Sequence, residues 1–219
     1  MEVGVSIERA KELISACKLN LTLETIHLDK ANGRILAKGL VSKVNDPRFD
    51  NSAMDGWAVR EEDCSSNNVT VLRIVGAIQA GSENVHMIKS GEACKITTGA
   101  PIPDGADGIV IVENSRIEGE NVIITGQAKK SFIRLKGENL SKGKLAIPEG
   151  TCMGSSTISL AATMGYDEIL VFRKPIIGII STGDELVMPN SKIKDWQIFE
   201  SNSFGIAALV EKMGGKPVR

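Results

Sequence analysis

Between Asp46 and Leu145 the chain alternates short apolar runs with glycine, proline and asparagine, a rhythm that fits strands joined by turns. Val69 to Ile78, Ala93 to Thr97, Ile109 to Val112, Asn121 to Thr125 and Phe132 to Leu135 read as strands, and Glu118-Gly119-Glu120-Asn121 reads as a hairpin turn. A small all-β domain is therefore predicted over residues 46–145. Its entrance, Asp46-Pro47-Arg48-Phe49-Asp50, is extended or turning because of its proline, and Asn51-Ser52-Ala53-Met54-Asp55-Gly56 leads on to Trp57-Ala58-Val59, the start of a strand. Asp55 is expected where a loop meets a rigid element, a common position for chemistry. The alternative is an ordinary turn in which Asn51, Ser52 and Asp55 bond nearby backbone. A second loop, Gly99 to Gly108, has little freedom and carries Thr98 at its entrance; taken alone it is equally a rigid connector.

Ser6 is placed to cap a helix whose Ile7, Ala10, Leu13, Ile14 and Cys17 share one face, so that helix should pack through one side. A short extended piece through Leu23 and Ile26, a turn at Asn32-Gly33 and a β-rich run from Arg34 to Val44 follow, too little to close a core alone. Beyond the β domain, a helix from Ser156 to Met164 ending at Gly165 and a strand from Ile169 to Phe172 are suited to complete that core, which would make the β domain an insertion. At Pro175 a third unit begins. Ile176 to Ile180 has the continuous apolar character of a strand buried on both faces, and Ser201-Asn202-Ser203 precede a helix from Phe204 to Met213 that ends at Gly214-Gly215. Only Lys216 to Arg219 follow, so the βαβ unit is barely started, and the sequence is expected to be a truncated gene product or an N-terminal fragment.

With 219 residues, 42% of them hydrophobic, the chain can bury roughly 70–75% of its unfolded surface. A formal net charge of −1, with basic residues spread out, offers no stripe to nucleic acid or to an anionic membrane. No apolar run approaches the roughly 18 residues of a spanning helix, and acidic Glu2, Glu8 and Glu12 stand where a secretory signal would be basic, so a cytoplasmic location is expected. Without such a signal the glycosylation-type triplets at Asn20, Asn68 and Asn139 carry no meaning. Cys17, Cys64, Cys94 and Cys152 are far apart, and His27 and His86 are isolated; zinc spacing is absent and the cysteines read as reduced, mostly buried thiols. Gly137 to Lys144 imitates a phosphate loop but has one residue too many between its glycines, and Leu145 follows the lysine.

The turn Thr182-Gly183-Asp184-Glu185 lies just past the apolar run Ile176 to Ile180, where open α/β sheets bind ligands. Two carboxylates about 5 Å apart repel by roughly 3 kcal/mol at an effective dielectric of 20, so a site gathering Asp55 and Glu185 calls for a cation, and hard oxygen ligands point to magnesium. The alternative is that Asp184 and Glu185 cap the segment that follows.

Three stretches together are specific: Asn51 to Val59, Ile96-Thr97-Thr98-Gly99-Ala100-Pro101-Ile102-Pro103-Asp104-Gly105-Ala106-Asp107, and Ile179-Ile180-Ser181-Thr182-Gly183-Asp184-Glu185-Leu186. With them the chain resembles the molybdopterin molybdenumtransferases, the family that includes the E domain of gephyrin. The resemblance runs over nearly the whole chain and stops about halfway through the family's usual length. It implies a multidomain α+β fold: an elongated α/β linker and dimerisation domain from residues 1–45 and 146–174, an inserted small β-rich, barrel-like domain over 46–145, and over 175–219 the truncated start of an α/β, molybdopterin-binding-like domain. It implies molybdenum insertion into adenylylated molybdopterin with release of AMP, molybdate and adenylylated molybdopterin being the substrates, a divalent metal such as Mg2+ the cofactor, and a homodimer whose cleft is composite. Asp55, Thr98 and Glu185 would be catalytic; Arg134, Ser181, Thr182, Gly183 and Asp184 would bind substrate; Asp55, Glu185 and Asn139 would meet the metal. Many members carry an aspartate where this chain has Asn139 after Gly137-Glu138. Losing that charge is expected to weaken metal binding about 10–100-fold if the residue is a ligand. Two other readings are a non-catalytic dimerising scaffold of the same fold, distinguished by indifference to Asp55→Asn, and a general metal-dependent phosphohydrolase, distinguished by turnover without pterin.

Overall fold

The computed structural model describes residues 4–17, 20–64, 69–83 and 87–219. Glu2, His86 and Asn68 lie outside the described residues. The chain divides into two compact units, one comprising Val41–Ala146 and Thr163–Gly165, the other Met1–Leu40, Ile147–Ala162 and Tyr166–Arg219.

The first unit is built on a six-stranded sheet. Across it the strands run Gly108–Ile111, Gly56–Val59, Glu92–Ile96, Thr70–Ile78, Asn121–Ile124 and Ser115–Glu118. Neighbours are antiparallel except Thr70–Ile78 and Glu92–Ile96, which are parallel with an irregularity between Ile74 and Gly76. The expected hairpin forms: Glu118 faces Asn121, and Gly119 takes the left-handed conformation (φ 60°) that so tight a turn needs. The run Phe132 to Leu135 gives only the two-residue strand Ile133–Arg134, which pairs with Asn51–Ser52 outside the main sheet.

Alternation along each strand sends side chains to opposite faces, and both faces of this sheet are covered. Trp57, Val59, Leu72, Ala93, Val110, Val122 and Ile124 form one apolar cluster. Ala58, Ile78, Cys94, Ile96, Ala100 and Ile109 form another. Gly56–Val59 is consequently buried at all four positions. Trp57, 1% exposed, finds a partner for its one polar atom in Ser115 Oγ, 2.8 Å from Nε1.

In the second unit Leu23–His27 pairs antiparallel with Glu168–Phe172. The β-rich run expected from Arg34 to Val44 yields only Leu40–Val41 as regular strand; the rest is fastened bond by bond, as in Leu36 N to Thr151 O (2.9 Å), Met153 N to Arg34 O (2.8 Å) and Phe172 N to Ile35 O (2.9 Å). Leu28, Leu36, Ile147, Met153, Ala161, Ile169 and Val171 are buried in this unit. Arg34 anchors it, its guanidinium reaching Glu24 at 2.5 Å and Phe172 O at 2.8 Å.

Further along, Ile176–Gly178 pairs parallel with Lys216–Val218 and the helix Asn202–Lys212 lies between them in sequence, which is the βαβ connection.

Three expectations are corrected. The helix Ile7–Ser15 forms with Ser6 as its cap, Oγ accepting from Arg9 N at 3.2 Å, but it buries none of its residues; Ile7 and Ile14 are 71% and 72% exposed. The apolar run at 176–180 is a three-residue strand and is not buried, Ile176 being 68% exposed, because it has a single sheet neighbour and little packs on its faces. Of the four cysteines only Cys64 and Cys94 are buried, which pushes both thiols up to about 11; Cys17 and Cys152 are exposed, and all four are free. No helix among the described residues is long and apolar enough to cross a membrane.

Candidate functional site

Asp55 sits in the bend between Asn51–Ser52 and Gly56–Val59. Several contacts hold that bend rigid. Ser52 Oγ donates to Met54 O at 2.6 Å and accepts from Met54 N at 3.2 Å, both turn bonds, as the ordinary-turn alternative foresaw for Ser52. Asn51 Nδ2 likewise bonds Phe49 O at 3.2 Å. Immediately after Asp55, a Cβ on Gly56 would stand 2.0 Å from Val110 O, so only glycine lets the two strands meet here. Asp55 does not share the turn role, because its carboxylate leaves the bend and crosses to the second loop.

That loop is fastened to the bend by backbone: Gly99 N donates to Ser52 O (2.8 Å), Ser52 N to Ala100 O (3.0 Å) and Ile102 N to Asp50 O (3.0 Å). Thr98 is thereby presented to Asp55, whose Oδ1 accepts from Thr98 N at 2.7 Å and from Thr98 Oγ1 at 3.1 Å. The backbone N–H first, and the hydroxyl second, stabilise the anion and hold the Asp55 carboxyl below its usual 3.8. Both residues are exposed. With its proton committed to Asp55, the Thr98 hydroxyl offers outward only lone pairs, so the corner presents acceptors alone and suits a cation or donor groups on a ligand.

Arg134 is paired with Asn51 across the short ladder. Its Nε donates to Glu138 Oε1 at 3.2 Å, leaving the side chain 46% exposed. Asn139 turns elsewhere: its Nδ2 donates to Asp46 Oδ2 at 3.0 Å. Of the three residues expected at a metal, Asp55 and Asn139 belong to this unit, with the Asn139 amide nitrogen engaged by Asp46, and Glu185 belongs to the other unit. No group of three or more His, Cys, Asp or Glu side chains able to hold a metal occurs among the described residues.

In the other unit, Ser181 to Glu185 is an exposed turn between Ile176–Gly178 and Leu186–Val187. Gly183 is at φ 154°, and a Cβ there would lie 2.6 Å from Glu185 Oε2, so the glutamate carboxylate rests on the glycine backbone. Thr182 and Asp184 face solvent. Ser181 donates its hydroxyl to Glu200 Oε1 at 2.9 Å.

Glu200 is the residue that sequence reasoning missed. It is only 7% exposed and accepts from Ser203 N (2.7 Å), Ser203 Oγ (2.6 Å) and Ser181 Oγ. Those bonds, led by the Ser203 hydroxyl, hold its carboxyl below the usual 4.5, with Arg219 adding attraction. The helix begins at Asn202, two residues ahead of the expected Phe204; Ser201 makes no side-chain cap bond, and Glu200 serves the first turn instead. An acid directly ahead of Ser-Asn-Ser was the available signal. Ser181, Gly183, Glu200, Ser203 and Arg219 line one cleft of about 440 Å³.

The fold has solved counterparts. The chain matches the molybdopterin biosynthesis MoeA protein of Pyrococcus horikoshii with a TM-score of 0.85, covering 98% of this chain and 56% of that one at 31% identity, which defines the class as MoeA-like. The sequence family described as the MoeA N-terminal region, domains I and II, matches residues 5–165, and the chain belongs to that family. A molybdopterin molybdenumtransferase of Nostoc sp. PCC 7120 is 38% identical over 199 residues, 89% of this chain and 46% of its own length. One from Staphylococcus aureus is 34% identical over 214 residues, 96% and 51% respectively. The chain thus spans about half the length of the curated relatives it matches.

Proposed function

We propose that this chain carries part of a molybdopterin molybdenumtransferase site, acting in molybdenum insertion into adenylylated molybdopterin with release of AMP. The observation that carries the reading is the Asp55–Thr98 corner, an ionised acceptor-only site on a rigid bend. In this reading Asp55, Thr98 and Glu185 are catalytic. Asp55 stays ionised and fixes the Thr98 hydroxyl, so both turn lone pairs outward. Arg134 binds an oxyanion of substrate or molybdate with the part of its guanidinium that Glu138 leaves free, and Ser181 to Asp184 bind the rest of the substrate. A divalent cation, magnesium here, would take Asp55 and Glu185 as ligands and supply neutralising charge when bound; Asn139, expected as a third, has its amide nitrogen engaged by Asp46. The domain division follows the same reading: residues 1–45 with 146–174, then 46–145 inserted, then 175–219. A homodimer is proposed too, and the exposed apolar face of Ile7–Ser15 supports it.

The test is AMP release from adenylylated molybdopterin and molybdate by this chain, with and without magnesium, beside Asp55→Asn. Metal-dependent release that the variant loses supports the reading. Equal release by the variant, or none from a folded parent, overturns it for this chain.

A further inference from the structure

Two segments of the β unit, residues 45–47 and 137–142, are laced together by backbone. Asp46 N donates to Leu140 O (2.8 Å), Asn139 N and Leu140 N both donate to Asp46 O (3.0 and 3.1 Å), and Gly137 N donates to Pro47 O (2.9 Å). Asn45 Oδ1 adds a bond from Lys142 N at 2.8 Å. With both backbones pinned, the side chains of Asp46 and Asn139 have little room to part, and Asn139 Nδ2 donates to Asp46 Oδ2 at 3.0 Å. An ionised carboxylate only accepts, so the amide nitrogen must be the atom that faces it.

The turn closed by this contact carries the charged pair described above. Glu138 accepts from Arg134 Nε at 3.2 Å and from Leu135 N at 2.9 Å, and Lys136 N donates to Asp50 Oδ1 at 2.7 Å. Protein donors thus reach Asn45 Oδ1, Asp46 Oδ2, Asp50 Oδ1 and both oxygens of Glu138.

We propose that Asn139 is a positioning residue and not a metal ligand: its carboxamide clasps Asp46, closes the 134–139 turn, and so orients Glu138 and Arg134 without any bound ion. The clasp stands on its own geometry; only the use of Arg134 for an oxyanion rests on the function proposed above. The amide supplies the donor that a cation would otherwise have to replace. A carboxylate at position 139 would meet the Asp46 carboxylate at the same pinned separation, where like charges repel, and a divalent cation with oxygen ligands would be the natural relief.

The test compares four chains: the parent, Asn139→Ala, Asn139→Asp, and the double variant Asp46→Asn with Asn139→Asp, which restores an amide–carboxylate contact with the partners exchanged. Thermal unfolding is followed in EDTA and in magnesium at matched ionic strength, and Mn2+ binding by electron paramagnetic resonance. The parent should show no magnesium response from this turn. Asn139→Asp should lose about 2–4 °C in EDTA, regain it in magnesium, and bind Mn2+ beyond the parent's level. Asn139→Ala should lose stability that magnesium does not return. The exchanged double variant should recover the parent's midpoint in EDTA and lose the extra Mn2+. A parent whose bound Mn2+ disappears in Asn139→Ala overturns the proposal, as does a double variant that fails to recover. If Asn139→Asp does not fold, the double variant and Asn139→Ala still decide. Molybdate titration on the same chains separates the two readings: affinity about tenfold weaker in Asn139→Ala and restored in the double variant joins the clasp to Arg134, whereas no molybdate binding by the parent sinks the role of Arg134 and leaves the clasp standing on its thermal and Mn2+ results.

Discussion

At Asp55 two donors from one residue hold a carboxylate ionised, and they are separable. Asp55→Asn keeps the shape and removes the charge, so AMP release should fall by about 100-fold or more, while the unfolding midpoint drops only slightly, because the two bonds from Thr98 are made at an exposed, solvent-screened side chain. Thr98→Ala removes the hydroxyl but keeps the backbone donor, the larger cause of the shift. Its Asp55 carboxyl should rise only part of the way toward 3.8 in a carbon-13 NMR titration. The sign follows from the lowered value: Asp55 contributes stability above pH 3.8, and that contribution is lost as pH falls through the folded value. A Thr98→Ala chain whose Asp55 titrates like the parent's would show that the hydroxyl bond is not formed in solution. Asp55 was legible as a candidate because a polar loop ran into an apolar strand. Thr98 was a candidate too, from its place at the second loop and from the family resemblance, but its hydrogen bonds to Asp55 were not legible, since 43 positions separate the two and only the sheet brings the loops together.

The strand Gly56–Val59 shows why the bend cannot be altered freely. Gly56→Ala drives a methyl into Val110 O, and should cost about 3 kcal/mol in urea unfolding; a cost near zero would mean the strands pack less closely than described. Trp57→Phe removes the bond to Ser115 Oγ, and should cost about 1–2 kcal/mol. In the helix Asn202–Lys212 the sensitive position lies ahead of the element. Glu200→Gln should speed amide exchange at Ser203 and lower the unfolding midpoint. In the parent the contribution of Glu200 should be present above pH 4.5 and fade as pH falls through its lowered value. Unchanged exchange at Ser203 in the variant would rule out this carboxylate as the cap.

For the molecule as a whole, the bare apolar face of Ile7–Ser15 makes the proposed homodimer open to a direct check. Ile14→Glu should weaken self-association at least tenfold in analytical ultracentrifugation, and an unaltered dimer would place the interface elsewhere. The helix itself was legible from Ser6 and the apolar spacing, but burial was not, because periodicity says which face is apolar and nothing about what covers it. The same limit applies at Ile176, whose apolar run has the composition of a buried strand and only one sheet neighbour. Local patterning pointed to the strands Gly56–Val59, Thr70–Ile78, Glu92–Ile96, Gly108–Ile111 and Asn121–Ile124, to the hairpin at Gly119 and to the helices Ile7–Ser15, Ser155–Thr163 and Asn202–Lys212, since each depends on residues close in sequence; it overextended the strand at Phe132 to Leu135. The strand order, the meeting of Asp55 with Thr98 and the capture of Asn139 by Asp46 were settled by tertiary packing. Each of these joins groups that short-range propensity cannot connect, and in each the deciding energy is a hydrogen bond or a steric contact between segments distant in the chain.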